Sequence, residues 1–126
     1  MKALWISVAA TVALLLLWGA FINYTGEGTA KMTVGIDHAI ASAETNQWKE
    51  AQDSIDSVSR QWYDRRLVYS LFFDAVSIGD VETSLVRAIA YCRSEEKGSA
   101  IAELESLRHL LLFLYENEMI TIENIL

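Results

Sequence analysis

Residues 46–62 read NQWKEAQDSIDSVSRQW, and within them Trp48, Ala51, Ile55, Val58 and Trp62 recur at steps of three and four. That spacing lines five apolar side chains along one face of an α-helix and leaves Lys49, Glu50, Asp53, Asp56 and Arg60 for the other faces. Immediately upstream, residues 31–44 carry a matching stripe of Met32, Ile36, Ala39, Ile40 and Ala43. Between the two stripes, Thr45-Asn46-Gln47 breaks the period. Asn46 is the expected cap, because its side-chain oxygen can accept an orphan amide at the start of the next helix. Two stripes joined by so short a connection predict an antiparallel hairpin in which each helix covers the other.

Working outward, residues 64–93 keep one apolar line through Val68, Leu71, Ala75, Ile78, Leu85, Ile89 and Cys92, which only Glu82 interrupts. The register survives Gly79-Asp80, so one long helix, bent at Gly79, is expected over two helices with Asp80 as a cap. Phe72, Phe73 and Val76 widen its apolar face and predict a central place in the bundle. The polar, glycine-containing run SEEKGS from Ser94 is the next turn. A last helix over 99–116 aligns Ala100, Leu104, Leu107, Leu111 and Leu114, with Leu110, Leu112 and Phe113 beside them, so its second half should be nearly buried. The apolar tail EMITIENIL is expected to dock as a short helix capped by Thr121, with a β edge through MITI as the alternative. No internal repeat is visible.

At the other end, residues 3–22 read ALWISVAATVALLLLWGAFI, 20 residues without a charge. As a helix they reach about 30 Å, the thickness of a bilayer's hydrocarbon. Trp5 and Trp18 lie near the two ends and Tyr24 just beyond, where amphipathic rings prefer the headgroups. A cleaved secretory signal, cut near Gly28 or Ala30, is the rival reading. Its apolar core would be shorter, about 7–15 residues, so a retained anchor is favoured. Lys2 and the terminal amine precede the run and the next basic residue is Lys31, which places the N-terminus in the cytoplasm and the rest outside. Residues 1–2 are then a cytoplasmic stub, 3–22 a transmembrane anchor and 23–30 a linker interrupted by Gly26 and Gly28. Residues 31–126 form an extracytoplasmic helical bundle. The fold class is all-α, an N-terminal transmembrane helix followed by a small antiparallel bundle, and the absence of proline agrees with it.

Composition narrows function. The chain of 126 residues has a formal charge of −7, and the part beyond Lys2 is more acidic still, which opposes sequence-independent binding to nucleic acid. Cys92, the single cysteine, can make no internal disulfide and falls on a core position. His38 and His109 lack partners at metal-ligand spacing, and no phosphate-cradling glycine loop or nucleophile motif occurs, so no metal, cofactor or catalytic residue is expected. Carboxylate pairs such as Glu95-Glu96 and Glu103-Glu105 read as solvation of helix faces. One departure from acidity remains, RQWYDRR over 60–66. Arg60, Trp62, Tyr63, Arg65 and Arg66 there are the candidate contacts for a partner or an anionic ligand, with guanidinium forks supplying geometry and rings supplying area. The plainer reading makes Trp62 core and pairs the arginines with Asp64, Glu44 or Glu50.

The hairpin start N-x-W-x-x-A at Asn46, Trp48 and Ala51, the second tryptophan Trp62 and the terminal Glu118, Asn124, Ile125 and Leu126 together resemble the domain-of-unknown-function 4363 family. That resemblance implies a small helical protein of Gram-positive bacteria with one N-terminal hydrophobic segment, and it brings no activity. Histidines of the family's third and last helices have no counterpart here, where Ala75 and Phe113 stand nearest. The expected function is that of a noncatalytic membrane-anchored module contacting another membrane or envelope protein. A binding domain for a small anionic or lipid-headgroup ligand is the alternative.

Overall fold

In the computed structural model, the backbone of residues 1–125 and the side chains of 1–24 and 26–116 are described. Four helices follow one another: α1 (Lys2–Glu44), α2 (Trp48–Phe72), α3 (Ala75–Arg93) and α4 (Lys97–Ile125), with no strand among the described residues. Each packs antiparallel against its neighbour in the chain, and α4 closes on α1, giving an up-down-up-down bundle. The stripes read from the sequence form its core: Met32, Ile36, Ala39 and Ala43 from α1, Ala51, Ile55, Val58 and Trp62 from α2, and Ala100, Leu104, Leu107, Leu111 and Leu114 from α4 are all buried. Cys92 is buried with them, and desolvation pushes its thiol up from its ordinary pKa.

The buried side chains become smaller toward the end farthest from the N-terminus. Ala39, Ala43, Ala51, Ala88, Cys92 and Ala100 fill that end, while Met32, Trp62 and Leu111 fill the middle. Small side chains allow close helix approach where the chain must turn. Both turns there have one construction. After α1, Gln47 N–H donates to the Ser42 carbonyl at 2.8 Å and Asn46 N–H to Ala43 at 3.2 Å; after α3, Glu96 donates to Tyr91 at 3.0 Å and Glu95 to Cys92 at 3.3 Å. These are Schellman closures whose left-handed position is held by Asn46 (φ 61°) and Glu95 (φ 56°). Asn46 is therefore the turn residue ending α1 and not the cap of α2; that position belongs to Gln47, which makes no side-chain cap bond. A glutamate in left-handed backbone is strained where glycine is not, so Glu95→Gly should stabilise the bundle by about 1 kcal/mol. Urea titration followed by helical circular dichroism checks this, and a loss of stability would refute it.

The two hairpins also repeat. Met32, Ile36, Ala39, Ala43, Ala51, Ile55, Val58 and Trp62 have buried counterparts 49 positions on, at Val81, Leu85, Ala88, Cys92, Ala100, Leu104, Leu107 and Leu111. A repeat is thus present in burial register where none was visible in residue identity.

Three other expectations are corrected. The stretch 23–30 is no linker: α1 runs unbroken for 43 residues. Gly26 and Gly28 face neighbours that need the space, since a Cβ on Gly26 would lie 3.4 Å from the Tyr115 ring and one on Gly28 would lie 2.9 Å from Arg65 Cζ and 3.0 Å from the Tyr69 hydroxyl. Packing holds these glycines helical despite their low propensity.

Next, the chain breaks at Phe73-Asp74, and neither at Tyr63-Asp64 nor at Gly79-Asp80. Asp74 caps α3 by accepting from Ser77 N–H at 2.7 Å and Ser77 Oγ at 2.9 Å. Phe73, in extended backbone, packs against the core at the position where a hydrophobic staple begins. Gly79 stays inside α3 with nothing near it. Consequently Leu71, Phe72, Ala75 and Val76 are exposed at a corner, not central to the bundle.

Finally, α4 continues without interruption to Ile125, so the tail is neither a separate helix nor a strand. Its expected docking falls on side chains outside the described residues. Phe113 is also half exposed, which leaves the second half of α4 less covered than its composition implies.

Candidate functional site

The five candidate residues occupy the second half of α2, which descends beside α1 and faces α3. Trp62 belongs to the core: it is 1% exposed, and its ring stacks on Tyr69 at 5.1 Å between centroids. A buried indole N–H needs an acceptor. It finds one in Glu82 Oε1 of α3, 3.3 Å away, and the same carboxylate is paired with Arg66 Nε. Glu82, the one residue that spoiled the apolar line of α3, is therefore the polar clasp between α2 and α3. Arg66 takes this partner in place of Asp64, Glu44 or Glu50.

Arg65 turns to the other side. Its Nη1 donates to the Tyr24 carbonyl at 3.0 Å, and its guanidinium lies 4.3 Å from the centroid of the Tyr24 ring. Gly28 leaves the room for this crossing. Arg60 and Tyr63 are exposed. The structure thus divides the five, with Trp62, Arg65 and Arg66 engaged inside the fold and Arg60 and Tyr63 outward, so they do not converge on one anion-sized point.

The Arg66 hydrogen bond holds the Glu82 carboxyl below its usual pKa against partial desolvation, with smaller contributions from the Trp62 N–H and then the Arg66 charge. A depressed carboxylate stabilises the fold above its unfolded pKa of about 4.3, and that contribution is lost as pH falls through the folded value. Glu82→Gln should flatten the acid limb of the stability–pH curve below about pH 5 while leaving the difference between pH 6 and 8 unchanged. Thermal melts across pH would show it; an unaltered acid limb would remove Glu82 from this role.

Two open grooves flank α2. One of about 700 Å³ between α1 and α2 is lined by Lys31, Val34, His38, Asp53 and Gln61, and His38 Nδ1 shares a 2.6 Å hydrogen bond with Ser54 Oγ there. The other, about 430 Å³ between α2 and α3, is lined by Tyr63, Glu82, Val86 and Arg87. Among the described residues no three His, Cys, Asp or Glu side chains gather as metal ligands would.

Residues 20–125 match the family described as Domain of unknown function (DUF4363). The chain belongs to that family. Its match begins just before Phe21, so the DUF4363 region takes in the packed part of all four helices and stops short of most of the apolar run. No curated protein and no solved structure matches the chain. For this DUF4363 protein the tertiary partners Tyr24, Gly28, Tyr69 and Glu82 were missed by sequence reasoning. The one available signal was the polar Glu82 in an apolar line, with a tryptophan elsewhere needing an acceptor.

Beyond the bundle, the first part of α1 stands clear of the other helices and is long and apolar enough to cross a membrane. Residues 2–17 are exposed throughout. Thr11 Oγ1 donates back to the Ser7 carbonyl at 2.9 Å, which satisfies that hydroxyl within the helix.

Proposed function

We propose that this chain is a noncatalytic single-pass membrane protein whose bundle, held outside the cytoplasm, contacts another membrane or envelope protein. The observation that carries this reading is the unbroken α1: one helix of 43 residues supplies both the apolar run and a wall of the bundle. Without a flexible joint, the bundle's faces keep a set height and azimuth above the lipid, which suits a module that meets a second membrane-bound surface. Lys2 and the terminal amine at the run's start support a cytoplasmic N-terminus. The exposed carboxylates Glu95, Glu96 and Glu105 on outer helix faces support solvation over acid–base chemistry. The alternative, a small anionic or lipid-headgroup ligand at Arg60, Arg65 and Arg66, is less favoured because two of these guanidinium groups already have partners in the fold.

Photoreactive side chains placed singly at Val34, Tyr63 and Val86, all exposed, test the reading in intact cells. The expected result is one recurrent membrane-protein adduct from one groove, either at Val34 or at Tyr63 and Val86 together, and none from the other. Equal, unselective adducts at all three positions would overturn it.

A further inference from the structure

The corner between α2 and α3 carries large apolar side chains in the open. Leu67 is 75% exposed, Leu71 73%, Val76 73% and Phe72 44%, although the core a few residues away is tightly closed. Loop corners of soluble bundles are ordinarily polar, and a contiguous apolar group of this kind marks a contact surface. Its location identifies the contact. Phe72 packs on Phe21 at 3.9 Å between ring centroids and lies 6.2 Å from Trp18. Those two rings are at the downstream end of the apolar run of residues 3–22, the height at which hydrocarbon would give way to headgroups. Because α2 runs antiparallel to α1, Leu71 and Phe72 share that height, and Leu67 stands about 6 Å farther out, one helical turn.

The polar groups around the corner agree with an interfacial position. Asp74, the only charge between Leu67 and Val76, is turned onto the start of α3 by its bonds to Ser77 N–H and Oγ. Arg65 and Arg66 directly precede Leu67 on its water side, Arg65 held on the Tyr24 carbonyl and Arg66 on Glu82, so they mark the polar edge of the corner. An apolar face with basic residues on its water side is the pattern of segments that lie in the plane of a membrane surface.

We propose that Leu67, Leu71, Phe72 and Val76 enter the lipid interface beside the anchor, giving the protein a second foothold that fixes how the bundle stands on the membrane. This inference rests on the reading that the apolar part of α1 crosses the bilayer. A second copy of the chain or a partner protein covering the same corner is the competing outcome.

The test uses the full chain carrying Cys92→Ala, reconstituted into phosphatidylcholine vesicles containing some phosphatidylglycerol. Single cysteines replace Leu15, Val34, Leu71 or Val76 and carry an environment-sensitive fluorophore. Quenching by lipids with a nitroxide near the headgroup is then compared with quenching by aqueous iodide. Labels at 71 and 76 should be quenched by the shallow nitroxide and shielded from iodide, whereas a label at Val34 should behave in the opposite way. A label at 76 should lose about tenfold of its lipid quenching when Leu67→Glu and Leu71→Glu are added, because charges oppose insertion. Circular dichroism of that variant should remain helical, since both positions are exposed. Lipid quenching at 15 with none at 71 and 76 would overturn this proposal and leave the anchor intact, while no quenching at 15 would overturn the anchor itself. Labels at 71 and 76 shielded from both quenchers would point to a protein covering the corner and would equally overturn it.

Discussion

Trp62→Ala should cost the bundle about 3–5 kcal/mol, enough to lower the melting temperature by on the order of 20 °C in a domain of this size. Three losses coincide at this side chain. Its ring is the largest fully buried side chain among the described residues, so truncation leaves a cavity that relaxation closes only in part. The stacked partner Tyr69 loses its face contact. Glu82 loses one of its two donors and keeps only Arg66. Trp62→Phe separates the terms: it retains most of the apolar area and removes the N–H, so about 1 kcal/mol should be lost. Trp48→Ala, at a half-buried position, should cost clearly less than Trp62→Ala. Urea unfolding of the detergent-solubilised chain measures all three, and a Trp62→Ala loss below about 1 kcal/mol would show that Trp62 is not the keystone claimed for it.

Gly35→Leu should destabilise by roughly 3 kcal/mol even though leucine is the better helix former by about 1 kcal/mol. A Cβ at Gly35 would stand 2.7 Å from Val58 Cγ2, and Val58 is buried with a β-branched side chain that has little rotamer freedom. The leucine must therefore push α1 and α2 apart at the centre of their contact. Gly79 provides the opposite control. No atom lies within 4 Å of its absent Cβ, so Gly79→Ala should add about 1 kcal/mol through helix propensity alone. If both glycine substitutions moved stability in the same direction, close α1–α2 approach would not be what Gly35 provides.

The contrast between these two glycines explains much of what could be read from the chain and what could not. Helix existence and the core faces of α1, α2 and α4 follow from period alone, because burying a stripe is the dominant favourable term and leaves its spacing in the sequence. Position-specific geometry leaves a fainter trace. Composition makes Gly26 and Gly28 look like a linker, but their role is set by Tyr115, Arg65 and Tyr69, many residues away. The Gly79-Asp80 pair resembles a break, whereas the operative one is Asp74 with Ser77 three positions on, a cap written in two residues and easily overlooked inside a continuing apolar register. Glu82 looks like a defect until Trp62 is known to face it. Of the candidate cluster, Trp62 as core was legible from its seam position, while the separate engagements of Arg65 and Arg66 depend on which helices stand on either side of α2.

A last consequence concerns α1 as a lever. Between Asn23 and Glu44 it rises roughly 33 Å with no joint, so if residues 3–22 cross a bilayer as proposed, a tilt of about 20° there would swing the distal turn sideways by about 11 Å. Whatever interfacial contacts set that tilt would thereby be converted into lateral displacement at the Ala-lined tip.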